Sequence, residues 1–193
     1  SMGVNLRFIY SNLTGNRAFN GIDYKAAMGA AGDVNLLYKT EVKNPKGGFD
    51  KLQFGLNIQN IGSKMTYSSK EKRDFIPTNL KLGAGYSHKI DDYNTVNVYA
   101  DINKLLVPTK PLRDLLDTNN NGDRSEIIAG KDDNVGVIQG IIQSWDPTAK
   151  PDGFRELMRE FMVNVGAEYW YNDQFAVRAG YQHEDVTKGN RRF

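Results

Sequence analysis

Six times along this chain an asparagine is set into an alternating apolar run: Val4-Asn5-Leu6, Val34-Asn35-Leu36, Leu56-Asn57-Ile58, Asn79-Leu80, Val96-Asn97-Val98 and Val163-Asn164-Val165. A strand turns successive side chains to opposite faces, so the apolar residues share one face and the asparagines the other. An oily outside and a polar inside, repeated strand after strand, is the pattern of a transmembrane β-barrel. A soluble β-sandwich uses the same alternation the other way round, with the apolar face in a core and the polar face in water. Periodicity alone does not separate the two.

Seven segments carry the alternation, at about residues 2–11, 30–42, 51–61, 78–90, 94–104, 162–172 and 175–185. The polar face also holds Arg7, Asp33, Lys81, Asp101, Glu168 and Arg178. These charges either line a path or, the more ordinary use, pair to stiffen the wall. The connections favour the barrel. Long segments (12–29, 62–77, 105–161) alternate without a break with shorter ones (43–50, 91–93, 172–174), the asymmetry of short periplasmic turns and long external loops. Apolar-face aromatics such as Tyr10, Tyr38, Tyr86, Tyr171, Phe175 and Tyr181 fall near strand ends, where an interfacial girdle lies.

The expected fold is therefore all-β: an antiparallel transmembrane β-barrel, one domain over residues 1–193, with long external loops. The longest, 105–161, is expected to carry short helices. Bacterial barrels have an even strand number of at least eight, so about seven strands predict a partial barrel. No signal peptide precedes the first strand, which predicts a mature or truncated form, with truncation favoured by the strand count.

Composition narrows the function. With 25 basic and 23 acidic residues the net charge is +2, and the basic residues are spread along the chain, so nucleic acid is not an expected partner. There are no cysteines, which excludes disulfides and thiolate metal sites. No apolar run approaches the roughly 20 residues of a membrane helix. The low mean hydropathy does not argue against a barrel, because barrel strands are only half apolar.

The long loop holds most of the individuality. Thr109, Pro111, Leu112, Leu115 and Leu116 read as a capped helical turn. Asp117, Asn119, Asn121 and Asp123, with Gly122, resemble the first half of a calcium loop, but the twelfth position is Ile128 where a bidentate glutamate is needed. A solvated Asx/Gly turn explains the same residues. Val135 to Trp145 is apolar and punctuated by glycine, and Phe154, Leu157, Met158 and Phe161 follow at helical spacing. This apolar surface serves either as a lid over the barrel mouth or as a docking surface for another protein, and the two are compatible.

Catalytic patterns are missing. The two histidines, His88 and His183, stand near strand ends without a carboxylate at ligand or triad spacing, and there is no nucleophile elbow, HExxH, phosphate loop or dinucleotide fingerprint. The expectation is a protein that is not an enzyme and has no cofactor.

Three stretches carry a family resemblance: Phe54 to Gly62 followed by Asp74 to Gly83, then Asp101 to Thr109, then Gly166 to Tyr181. Together with Arg7 to Gly15 they resemble the PorV family, also called LptO, outer-membrane components of the type IX secretion system. The resemblance implies a 14-stranded barrel of the FadL-like superfamily in the bacterial outer membrane, of which this chain supplies about half. It implies a shuttle or adaptor that docks at the translocon, binds the C-terminal β-domains of secreted cargo, and delivers cargo to the surface attachment complex with its sortase. The family's second name reflects a proposed link to lipid A deacylation, for which the sequence shows no catalytic constellation. A FadL-like transporter of hydrophobic small molecules is the alternative. Binding would fall to the long external loops, and apolar anchors dominate such interfaces; the expected partner-binding residues are Phe19, Phe75, Trp145, Phe154 and Leu157.

Overall fold

A computed structural model describes the chain apart from residues 13–14, 16–17, 20–21, 24, 45–47, 68–72, 117, 119–124 and 189–193, and gives the backbone alone at 18–19 and 22–23. Seven long strands form one antiparallel sheet: β1 (Met2–Ser11), β2 (Ala27–Lys43), β3 (Phe49–Gly62), β4 (Asn79–Lys89), β5 (Asn94–Leu105), β6 (Phe161–Tyr171) and β7 (Phe175–His183). Their order in space is their order in the chain. The sheet is open, with β1 and β7 as its edges among the described residues. No helix among these residues is long and apolar enough to cross a membrane.

Register converts the sequence repeat into two continuous faces. Val4 lies opposite Val34, Leu36 opposite Leu56 and Leu56 opposite Leu82. On the other face Asn35 lies opposite Asn57, Asn57 opposite Lys81 and Lys81 opposite Asn103. The apolar face is the exposed one: Leu6 is 86% exposed, Phe8 74% and Val177 73%. Only Ala27, Ala31, Ile76, Leu106, Ala149 and Leu157 are buried apolar residues among those described. A sandwich would bury this strand face in its core, and among the described residues no second sheet covers it.

One irregularity sets the face of β3. Between the pairs Gly32–Ile61 and Val34–Ile58 the register shifts by one residue, a β-bulge on β3. Asn60 takes a left-handed φ of 59°, a conformation asparagine tolerates better than most residues. The extra residue keeps both Ile58 and Ile61 on the apolar side although they stand three apart. It also turns Asn60 inward, where its backbone N–H donates to Asp33 Oδ1 (2.9 Å) and its Oδ1 accepts from Arg7 Nη2 (2.7 Å).

Because neighbouring strands run antiparallel, connections alternate between the two ends. Residues 44–48, 90–93 and 172–174 make the short end. There Asn172 and Asp173 adopt φ of 53° and 52°, the left-handed pair that a type I′ hairpin turn requires. Residues 12–26, 63–78 and 106–160 make the long end. The 106–160 segment holds two short helices, α1 (Val137–Gln143) and α2 (Gly153–Arg159), and a 3-10 turn, Pro147–Ala149.

Two sequence expectations for this loop are corrected. Leu112–Arg113 is not helical: it pairs as a short strand with Ile127–Ala129, and the Asp114 carboxylate accepts from the Thr118 backbone N–H and hydroxyl (both 2.7 Å). Such a local side-chain turn competes with helix formation. Phe161, read as the last residue of a helical stripe, begins β6, because α2 ends at Arg159.

Candidate functional site

The described parts of the three long loops form one connected layer. The first two meet where the Tyr67 hydroxyl donates to Ser11 Oγ (2.9 Å) and the Lys25 N–H donates to the Tyr67 carbonyl (2.8 Å). The second and third meet at Phe75, whose ring lies against Gly140 of α1. A Cβ at Gly140 would stand 2.7 Å from the Phe75 ring and 3.0 Å from Pro108, so the glycine is what permits the approach. The Lys64 ammonium covers the Phe75 ring at 4.1 Å.

A buried ion cluster clamps the third loop to the sheet. Glu160, just before β6, accepts from Lys104 of β5 (2.7 Å), from Lys150 at both oxygens (2.7 Å each) and from the Thr109 hydroxyl (2.5 Å). The Lys104 and Lys150 side chains are 1% and 0% exposed. Burial raises the Glu160 carboxyl. The hydrogen bonds from Lys104, Lys150 and Thr109 outweigh that effect and hold it below its ordinary range. Sequence reasoning missed this cluster. Its signal was Lys104 itself, a charge at the position after Ile102 where the alternation calls for an apolar residue.

The polar face carries its own network. Arg7 pairs with Asp33 (2.5 Å) and Glu168 with Arg178. Asn97 donates to Glu168 (3.0 Å) and Asn164 to Asp101 (2.6 Å). Four of the six inner charges read from the sequence are thus ion-paired to each other along the wall, and Asp101 is held by asparagines. Where this face meets the loops there is a cavity of about 930 Å³. Gln59, Lys81, Asn103 and Asn164 line it from the sheet, and Lys110, Glu156 and Arg159 line it from the loop. Its walls mix both signs of charge with amides and with the apolar side chains of Leu105, Val107 and Met162.

Of the expected anchors, Phe154 is 65% exposed on α2 and Trp145 is 42% exposed after α1, while Leu157 is buried. Phe75 is half-buried against Gly140. The side chain of Phe19 and the calcium candidates Asp117, Asn119, Asn121 and Asp123 lie outside the described residues. Leu115 (71% exposed) and Leu116 (89%), which are not among the expected anchors, add apolar surface to the third loop. His88 does have a carboxylate partner in space: its Nδ1 lies 2.9 Å from Asp50 Oδ1, with the Tyr86 hydroxyl donating to the other oxygen. Asp50 and His88 are level on the outward face at the short end, where polar groups close off the apolar band.

The height of that band can be worked out. On β5 eight residue steps separate Lys104 from Val96, the partner of His88, and on β6 ten steps separate Phe161 from Tyr171. At about 3.3 Å per step these spans run to about 26–33 Å along the strand. Barrel strands tilt by roughly 35–45°, which projects them to about 19–27 Å, a range that takes in the apolar band of outer-membrane barrels at about 25 Å.

An antiparallel meander with an exposed apolar band, an asparagine-laddered inner face and every long loop at one end is an all-β chain built on the barrel-wall pattern. The family model described as the type IX secretion system protein PorV matches residues 1–112. That is more than half of the chain, and the chain belongs to this family, with a role in type IX secretion. The match takes in β1 to β5 and reaches into the third long loop. No curated protein matches the chain.

Proposed function

We propose that this chain forms wall and loop layer of an outer-membrane β-barrel of FadL-like architecture. In this reading it serves type IX secretion as a shuttle, binding cargo C-terminal domains beside the translocon and delivering them to the surface attachment complex. The observation that carries the reading is the long-loop layer. It is folded and clamped from beneath by Glu160, yet it presents Phe154, Leu115 and Leu116 at its surface. A rigid base with exposed aromatic and aliphatic side chains is what a docking surface needs. The two open sheet edges are where the remaining strands of a barrel would pair. The role is binding, without catalysis.

The transporter alternative has the cavity of about 930 Å³ in its favour. Its lining sets lysine, arginine, glutamate and amide groups beside Leu105, Val107 and Met162, and the charged groups among them suit an alkyl chain poorly.

The test is affinity purification of the tagged full-length protein from outer membranes in mild detergent, with and without Phe154→Ala and Leu115→Ala. Recovery of a very large barrel subunit and of secreted proteins sharing a C-terminal β-domain, reduced in the variants, is the expected result. Bound lipid with no protein partner would favour the transporter. Recovery of the protein only in the soluble fraction would overturn the barrel.

A further inference from the structure

We infer that α1 is an interfacial helix, with its Ile138–Ile142–Trp145 face resting in lipid at the long-loop edge of the apolar band. The inference rests on the membrane-barrel reading above and adds a lipid contact outside the strands.

The geometry of α1 sorts its residues into two faces. At 3.6 residues per turn, positions 138, 142 and 145 share one side and 140 and 143 the other. The second side is pinned: Gly140 sits on Phe75 and Pro108, and the Gln143 amide donates to the Asp132 carbonyl (3.0 Å). The helix therefore cannot roll to hide its other side. Ile138 and Ile142 are each 66% exposed, and Trp145 continues the stripe at 42%.

What covers this stripe follows from what it adjoins. Trp145 lines a small cleft together with Leu80, Leu82, Ile102 and Phe161. All four belong to the outward face of β4, β5 and β6, and the Trp145 and Phe161 ring centroids are 6.1 Å apart. The helix stripe is thus an extension of the exposed strand face, so the solvent of one is the solvent of the other. Lys104, the last outward position of β5, lies beneath the Trp145 ring with its ammonium 5.1 Å from the centroid and is bonded to Glu160. The stripe consequently begins where the apolar band ends. Tryptophan is enriched at that level of a membrane, where its ring meets both acyl chains and headgroups. A short amphipathic helix there buries its apolar side by roughly 5–10 Å at the headgroup boundary.

The experiment places a bimane fluorophore on the full-length protein through Ile142→Cys, with Ile138→Cys as a second position. The protein is reconstituted into phosphatidylcholine vesicles carrying a nitroxide at the headgroup, at a shallow acyl position or at a deep one. Val98→Cys, mid-strand on the outward face, is the membrane control. The labels at 138 and 142 should lose most emission to the headgroup and shallow nitroxides and little to the deep one, while the Val98 label responds most to the deep one. If the loop labels ignore every lipid quencher while Val98 is quenched, the interfacial helix is wrong and the barrel stands. Aqueous iodide then tells whether water or a protein covers the stripe. If Val98 is not quenched by lipid either, the membrane reading itself fails.

Discussion

Replacing Glu160 by glutamine should release the third long loop from the sheet. The carboxylate is the only acidic group within 3 Å of both the Lys104 and Lys150 ammonium groups among the described residues, and these two side chains are 1% and 0% exposed. In Glu160→Gln the amide oxygen can accept from one lysine, but the amide nitrogen then faces the other, donor against donor. Lys150 retains the Thr109 hydroxyl (2.6 Å), whereas Lys104 retains, besides the faces of the Trp145 and Phe161 rings, only a long hydrogen bond to the Leu105 carbonyl (3.5 Å). Breaking a buried pair from one side costs about 3–5 kcal/mol, because the remaining charge stays desolvated. The loop can relieve this by opening, so the open form should become roughly two to four powers of ten more populated.

Hydrogen exchange reads that population directly when closing is fast. The amides to follow are Ala149, bonded to the Asp146 carbonyl at 3.1 Å, and Glu160, bonded to the Leu157 carbonyl at 3.2 Å. Their protection should fall by about a hundredfold or more, while Ala167 in the middle of β6 keeps its own. Glu160→Gln combined with Lys104→Met should recover much of the loss, since the orphaned charge is then gone. The pH dependence has a defined sign. The folded carboxyl lies below its ordinary value, so its contribution is complete above the unfolded pKa and is lost as pH falls through the lower folded one. Less than a tenfold change in protection would refute the clamp.

Three further outcomes follow from local geometry. Gly62→Ala places a Cβ 2.2 Å from the Ala30 carbonyl oxygen and 2.8 Å from Ala31 Cα; overpacking against backbone costs about 1–3 kcal/mol or more, and the folded band in a heat-modifiability gel should weaken, whereas Gly55→Ala, with nothing within 4 Å, should behave as wild type. Asn60→Val forces a β-branched residue to a φ of 59° and removes the contacts to Arg7 and the Pro77 carbonyl; the left-handed conformation alone costs about 1–2 kcal/mol, so the urea midpoint in detergent should fall, and Asn60→Gly should fall less. The Lys131 hydrogen bond, with those from Thr148, holds the Asp146 carboxyl down at about 2 from an ordinary 3.8, so the cap on the Pro147–Ala149 turn should persist down to about pH 3.8 and be lost toward pH 2, as followed by the chemical shift of the Thr148 amide.

The strands were legible because each carries its own signal. Val96-Asn97-Val98 declares its two faces without reference to any partner, and the observed β5 (Asn94–Leu105) begins at the expected residue and ends one residue later. The long-short alternation of loops was legible for the same reason, since it needs only the strand boundaries. The third loop was less so, because its structure depends on partners distant in sequence. Leu112–Arg113 is a strand only because residues 127–129 return to it. Leu157 sits on the helical stripe of α2 but on its buried side, which a period of 3.6 residues does not distinguish from the exposed one.

The exceptions to the alternation are where the site was hidden. Lys104, Asp50 and His88 each occupy an outward position that the period reserves for an apolar side chain. Two of them, Asp50 and His88, pair with each other at the short end, and the third pairs with Glu160 at the long end. In a soluble sheet these would be three unrelated blemishes in a core face. On a wall exposed to lipid they fall at the two levels where the apolar band must stop, and at those levels a charged side chain is tolerated because it can turn toward polar surroundings. In the proposed barrel the same residues that break the strand pattern would mark the edges of the membrane, and the upper edge would be the level at which the clamp holds the loop and Trp145 meets the strands. A loop layer fixed at that level would, in the proposed barrel, stand just outside the bilayer, within reach of a partner whose own barrel lies in the same membrane.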